Sequence, residues 1–88
     1  MTVYTVEFTS AAARELRKLD PLIRRRVLDG IAALQGDPRP PNSTKLVGAD
    51  NAWRIRVGDY RVLYEVADAL VLVTVFKVGH RREVYEAR

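Results

Sequence analysis

The sequence predicts an α+β domain: an N-terminal strand, a two-helix hairpin, then an antiparallel β-meander, with both helices on one face of the sheet. Three observations lead there. The first residues alternate apolar and polar side chains, as a half-buried strand does. Residues 11–34 then repeat apolar side chains at helical spacing. From Lys45 onward the alternation returns, interrupted by short turn signals.

The opening strand is Val3–Phe8, in which Tyr4, Val6 and Phe8 alternate with Thr5 and Glu7. Thr9 or Ser10 suits the N-cap of a first helix, Ala11–Leu19, whose apolar face is Ala12, Leu16 and Leu19. Asp20-Pro21 restarts the helix. Asp20 fits the N-cap and Pro21 the first helical position, where a missing N–H costs nothing. Ile23, Val27, Ile31 and Leu34 form the inner face of this second helix, and Arg24, Arg25 and Arg26 stand outside. Gly30 weakens it by about 1 kcal/mol relative to alanine, and Gly36 offers a C-terminal stop.

Gly36–Thr44 holds three prolines and a glycine, which marks a loop too short to link domains. Ala52–Val57 and Tyr60–Val66 read as a hairpin around Gly58-Asp59, with glycine first as a type II′ turn wants. Asp68-Ala69 is a second expected turn. Leu70–Val78 is a strongly apolar strand ended by Gly79, and His80–Arg88 is a short tail.

Composition narrows the function classes. A chain of 88 residues with 48% hydrophobic side chains makes one domain, residues 1–88, with one core. Such a chain buries only about 60–65% of its unfolded surface. There are no cysteines, which suits a reducing cytoplasm, and His80 is the sole histidine, so neither a thiolate nor a histidine-cluster metal site is expected. Met1–Ser10 lacks the pattern of a signal peptide. The longest apolar stretch, Ala69–Phe76 with only Thr74 inside it, is too short to span a bilayer, so no membrane partner is expected. No dinucleotide or P-loop motif and no carboxylate cluster is present, and no cofactor is implied.

The net charge is +4 and the pI about 9.9. Such a balance favours nucleic acid, acidic proteins or anionic lipid. Residues 1–50 carry eight Lys/Arg against six Asp/Glu, and residues 51–88 seven against five. The two halves are equally basic, so position matters more than total.

The hairpin assigns that position. With Gly58-Asp59 as the loop, Val57 faces Tyr60, Arg56 faces Arg61, Ile55 faces Val62 and Trp53 faces Tyr64. The apolar set shares the helix-covered face. Arg54, Arg56 and Arg61 share the other. Like charges directly opposite on a sheet are destabilising, and a polyanion on that face turns the cost into a gain. Arginine suits phosphate because its planar fork donates paired, charge-assisted hydrogen bonds. The other reading is a solvated face whose arginines pair with Glu65, Asp59 or the C-terminal acids. With the turn at Asp68-Ala69, Leu63, Leu70, Leu72 and Phe76 also fall on the arginine side. That predicts either an apolar patch for a protein partner or a patch covered by loop or tail.

The tail reads Gly79-His80-Arg81-Arg82-Glu83-Val84-Tyr85 and can reach the same face. Attack of a ribose 2′-OH on its neighbouring phosphate needs a group to take a proton, a group to give one, and positive charge for the phosphorane. Arginines serve the last need, being poor bases. His80 is the one side chain whose ordinary pKa lies near neutrality, and Tyr85 can stack on a base or donate a proton. Each also has an ordinary reading, His80 as a surface or hydrogen-bonded residue and Tyr85 as a packing residue.

These segments together resemble the RelE/ParE toxin superfamily, specifically its RelE-like mRNA interferase branch. The resemblance covers nearly the whole chain. It rests on the Tyr4–Phe8 strand, Arg17-Lys18-Leu19, Lys45-Leu46 with Gly48, and Trp53-Arg54-Ile55-Arg56-Val57. Most specific are Gly58-Asp59-Tyr60-Arg61-Val62-Leu63-Tyr64 and His80-Arg81-Arg82-Glu83-Val84-Tyr85, with their spacing kept.

The resemblance implies a RelE-like fold and the toxin of a type II toxin–antitoxin system. It implies a metal-independent endoribonuclease that cuts mRNA in the ribosomal A site, inhibits translation and is silenced by a cognate antitoxin. Operator DNA is then contacted only through the antitoxin. By position, Arg54 and Arg56 match basic residues lining the RNA site, and Arg61 the contact to the scissile phosphate. Arg81 matches the arginine at the leaving-group side, and Tyr85 the tyrosine that orients substrate. Some relatives carry lysine at positions 54, 56 and 80. Here arginines weaken any base at 54 and 56, and His80 is the candidate acid–base group. The chain stops three residues beyond Tyr85, so no long C-terminal helix is expected. Two other functions fit the same fold: a ParE-like DNA gyrase inhibitor, which needs no phosphate-cleaving constellation, and a degenerate module that binds without cutting.

Overall fold

The computed structural model describes residues 2–84. Its order is β1 (Thr5–Phe8), α1 (Ser10–Arg17), α2 (Pro21–Ala32), β2 (Thr44–Lys45), β3 (Ala52–Val57), β4 (Tyr60–Ala67), β5 (Leu72–His80) and α3 (Arg81–Val84). Short 3-10 turns follow α2 at Ala33–Gln35 and β4 at Asp68–Leu70. The five strands form one sheet in the order β1-β5-β4-β3-β2, antiparallel except for β1 beside β5. The most apolar strand, β5, therefore lies between two neighbours over its first half, as a continuous hydrophobic run requires.

The core forms where α1 and α2 meet one sheet face. Ala12 and Leu16 of α1, with Val27 and Ile31 of α2 and Leu34 beyond it, pack on Ile55, Val62, Tyr64, Val66, Val73, Val75 and Val78. Leu19 and Ile23 pack on the same cluster. Both helix periodicities read from the sequence thus find their sheet. Thr9 is the N-cap of α1, its Oγ1 accepting the Ala12 N–H at 3.2 Å. Asp20 is the N-cap of α2 with no side-chain hydrogen bond, and Pro21 opens the helix.

Several boundaries differ from the sequence expectation: α1 spans Ser10–Arg17 rather than Ala11–Leu19, and β5 spans Leu72–His80, running through Gly79 rather than ending at it. The strand β1 begins at Thr5 rather than Val3, because Tyr4 N–H is drawn to the Gln35 carbonyl instead of a ladder. The helix α2 tightens into a 3-10 turn before Gly36, a common way to finish a helix. The expected two-residue turn at Asp68-Ala69 is a longer connection: Asp68–Leu70 form a 3-10 turn and Val71 adopts φ +51°.

Arg24 is not a free member of an outer basic face. Its guanidinium donates to the carbonyls of Leu16, Arg17 and Leu19 at 3.2, 3.3 and 2.9 Å, capping the end of α1 from α2. At the opposite end of the domain, Arg39 grips Asp68 through two hydrogen bonds of 3.2 and 2.8 Å, and Tyr4 Oη donates to the same carboxylate at 2.7 Å. Arg39 and Tyr4 together hold the Asp68 carboxyl below its usual range. Arg39 also lies over the Trp53 ring, 5.4 Å from its centroid. No helix among the described residues is long and apolar enough to cross a membrane.

Gly30 is explained by packing. A Cβ there would sit 2.8 Å from Val57 Cγ2, so α2 approaches β3 as closely as it does only because that atom is missing. The Gly30→Ala variant gains helix propensity of about 1 kcal/mol but meets overpacking of roughly 1–3 kcal/mol. A net loss of stability, read as a lower urea midpoint, is expected. A raised midpoint would show that the contact is slack.

Tyr64 is wholly buried, and its hydroxyl donates to the Pro38 carbonyl at 2.8 Å, tying the proline loop to the sheet. Burial pushes its pKa up to about 12. The folded state thus keeps a proton that the unfolded chain releases near pH 10. This contribution is complete below pH 10 and is lost as pH rises toward 12. The Tyr64→Phe variant should be less stable at neutral pH, by about 1–3 kcal/mol for an unsatisfied buried carbonyl. It should also lose stability less steeply above pH 10. Urea melts across that range check both.

Candidate functional site

The hairpin that carries the site has the register its turn dictates. Gly58 has φ +60° and Asp59 does not share the positive φ, as a type II′ turn requires. The pairs are Val57↔Tyr60, Arg56↔Arg61, Ile55↔Val62, Arg54↔Leu63, Trp53↔Tyr64 and Ala52↔Glu65. Ile55, Val62 and Tyr64 belong to the core cluster, whereas Arg54, Arg56 and Arg61 do not. The three arginines therefore stand on the face away from α1 and α2. Arg56 is exposed, and Arg54 and Arg61 are half-buried. Neither Arg54 nor Arg56 forms an ion pair with Glu65 or Asp59 among the described residues.

The face is built in rows across the sheet. The first holds Arg56, Arg61 and Gly79, and the second holds Thr44, Arg54, Leu63 and Lys77. The third holds Ala52, Glu65, Thr74 and Glu7. A β-bulge at Phe76 sets these rows, because Leu63 pairs with Lys77 while Tyr64 pairs with Val75.

The apolar patch expected here takes another form. Leu63 is on the face but only 3% exposed, Leu72 and Phe76 are half-buried, and Leu70 lies in the 3-10 turn, outside the strand. The sequence reading misplaced Leu70, because it lacked the longer turn; Phe76 is the bulged residue and lies outside the core cluster.

Beyond Phe8↔Val75, β1 no longer covers β5. There Glu15 of α1 accepts the Val78 N–H at 2.7 Å and pairs with Lys77 Nζ at 3.3 Å. The free edge is thus closed by a helix side chain rather than a strand.

The tail residues divide. Arg81 opens α3, is exposed, and its N–H donates to the Asp59 carbonyl at 2.8 Å. That bond ties α3 to the hairpin turn, at the same end of the sheet as Arg56 and Arg61. His80 is not brought to the arginine face. It pairs with Tyr60, and the two rings meet edge to face with centroids 5.5 Å apart. Strand alternation explains this: two residues before Arg81 is Gly79, the partner of Arg61, so His80 points to the opposite side. Its Nδ1 accepts the Arg82 N–H at 3.3 Å, which leaves the ring proton on Nε2 in the neutral form. Tyr85 lies outside the described residues. Among those residues no group of three or more His, Asp or Glu converges to hold a metal.

A sheet face with opposed arginines, and a basic helix start tied to its turn, can hold a phosphate from more than one side. Comparison with known proteins gives this geometry a family. The model of the ParE toxin family of type II toxin–antitoxin systems matches residues 6–85.

The chain belongs to this family.

Its relatives in the toxin family are of the RelE kind. The chain is 36% identical to the toxin RelG of Mycobacterium tuberculosis over 93% of its length and 95% of the relative's. It is 33% identical to the mRNA interferase toxin RelE of Escherichia coli, over 93% and 90%. Among solved structures, the toxin–antitoxin complex RelBE2 of Mycobacterium tuberculosis superposes with a TM-score of 0.80 at 34% identity, covering 92% of this chain and 94% of that one. The intact RelBE complex of E. coli does so at 0.78 and 31%, covering 88% and 95%. This chain is accordingly a type II toxin of the RelE type.

Reading the toxin's sequence alone missed Thr44, Lys77 and Glu7 as members of the arginine face, and had Glu65 there only as an ion-pair partner in the solvated reading. For Glu7 and Glu65 a signal existed in strand alternation. For Lys77 it did not, because one extra residue in β5 is invisible without the pairing.

Proposed function

We propose that this toxin cleaves mRNA in the ribosomal A site, by attack of a ribose 2′-OH on the adjacent phosphate, and that a cognate antitoxin silences it. The observation that carries the reading is the Arg56↔Arg61 pair on the sheet face away from α1 and α2, with Arg81 tied to the adjoining turn. Arg61 contacts the scissile phosphate and neutralises the phosphorane. Arg81 offsets charge on the departing 5′-oxygen. Arg54 and Arg56 hold the flanking backbone. Tyr85, by its place in the family motif, orients the substrate base.

His80 stands on the Tyr60 side of β5 and acts here through Nδ1, by positioning the start of α3. The protein's share of catalysis is then mainly electrostatic. A site that, among the described residues, offers charge but no histidine on the same face gains most from RNA already aligned for in-line attack. That supports ribosome-held mRNA over free RNA as substrate, and similarity to the E. coli mRNA interferase supports the cleavage itself. No step calls on a metal. The antitoxin is supported by neighbours solved as RelB complexes, including that of Pyrococcus horikoshii. Any contact with operator DNA runs through that antitoxin.

The matching family model is that of ParE toxins, which keeps gyrase inhibition as a second reading. One experiment separates the two: induced expression with 5′-end mapping of cellular mRNA, run beside a gyrase supercoiling assay. Breaks inside translated codons are expected. They should fall by about 10²–10³-fold in Arg61→Ala and in Arg81→Ala, as for loss of one charge-stabilising donor, while circular dichroism shows both variants folded. Intact mRNA with gyrase inhibited would move the chain to the second reading. Intact mRNA with active gyrase would leave a binding module.

A further inference from the structure

The face that carries the arginines changes sign along its length. Two rows beyond Arg56 and Arg61, the register places Glu65 beside Thr74 and Thr74 beside Glu7. Both carboxylates are exposed. Val6, between Thr5 and Glu7, packs on the core cluster, so Glu7 points to the arginine side. Asp50 adds a third carboxylate, lining with Glu65, Asn51 and Thr74 a cleft of about 320 Å³ at this end of the sheet. No ion pair joins Glu7 or Glu65 to a basic side chain among the described residues.

The spacing keeps the two poles separate. Arg61 and Glu65 are four residues apart on one strand, about 13–14 Å. That exceeds the screening length of about 8 Å at physiological ionic strength, so the acidic row does not simply neutralise the basic one. Between them lies the row of Arg54, Leu63 and Lys77, in which Arg54 extends the basic pole and Lys77 is committed to Glu15. A strand of RNA held at Arg56 and Arg61 and running along β4 therefore meets favourable charge for one further row, and then repulsion.

We propose that Glu65 and Glu7 form an electrostatic boundary that limits the RNA engaged on this face to a short segment, so that long single strands are rejected. The inference rests on the arginine face being the RNA site. It makes selectivity for a short, presented stretch of mRNA a property of this sheet as well as of the ribosome. Repulsion of the wrong ligand is a recognised route to specificity, and two exposed carboxylates cost little in fold stability.

The test is binding of 2′-O-methyl oligonucleotides, which cannot be cut, in a series lengthening from a trinucleotide, at several salt concentrations. For the full-length wild-type chain, affinity should level off after a few nucleotides. In Glu65→Lys it should go on rising with length. The slope of log affinity against log salt should then steepen by about 0.7 for each additional phosphate bound. Asp29→Lys, an exposed position on α2, makes the same change in net charge and should leave the length profile as in wild type. Glu7→Gln/Glu65→Gln should give an intermediate profile.

Equal increases in Glu65→Lys and Asp29→Lys would overturn the boundary, since total charge would then explain the effect. So would an unchanged length profile in Glu65→Lys. Arg61→Ala reports on the underlying site independently. Trinucleotide binding that survives this substitution would sink the arginine-face reading, and the boundary with it, whatever the carboxylate variants do.

Discussion

The register of one hairpin governs both faces of this protein. Because side chains alternate along a strand, the turn at Gly58 and Asp59 decides in a single step that Ile55, Val62 and Tyr64 enter the core and that Arg54, Arg56 and Arg61 do not. A slip of one residue would bury three guanidinium groups and expose three core side chains. The register therefore cannot turn positions 54, 56 and 61 inward without turning Ile55, Val62 and Tyr64 outward. Arg81 is fastened to the same point, by the bond from its N–H to the Asp59 carbonyl, so the turn also positions α3.

Charge elsewhere in the molecule serves the fold. Arg24 closes the end of α1, and Arg39 with Asp68 and Tyr4 clamps β1, the proline loop and the turn after β4. Glu15 seals the stretch of β5 that β1 leaves open. The carboxylates of Glu65 and Glu7 and the guanidinium of Arg56 join none of these clamps, and Arg56 stands against a like charge. A small domain with a modest core has little stability to spare for such a pairing, which supports the proposal that Arg56 serves a ligand.

Most of this was legible in the sequence because the signals were local. Pro21 after Asp20, the apolar spacing from Ile23 to Leu34, and Gly58 before Asp59 each act within a turn or two of chain. The arginine face followed from the hairpin alone. Gly30 looked like a weak point of a helix until its contact with Val57 showed why a side chain cannot be there. What sequence did not carry was pairing between distant segments. The bulge at Phe76, the parallel placing of β1 against β5, and the αL residue Val71 depend on strands that are far apart in the chain. The bulge moves His80 off the arginine face, and the parallel pairing sets Glu7, whose side alternation already gave, beside Thr74. The family motif kept its spacing, but the side of the sheet on which each motif residue falls came only from the ladder.

The proposed function requires that Arg56, set opposite Arg61, serve a polyanion rather than the fold. The most direct measurement is the Arg56→Thr variant, with its urea midpoint and its affinity for a short non-cleavable RNA determined on the same preparation. Relief of an exposed like-charge pair should raise stability by about 0.2–0.5 kcal/mol while RNA binding weakens. A variant that is less stable and binds RNA as wild type does would show that Arg56 serves the fold, and the central claim would fail.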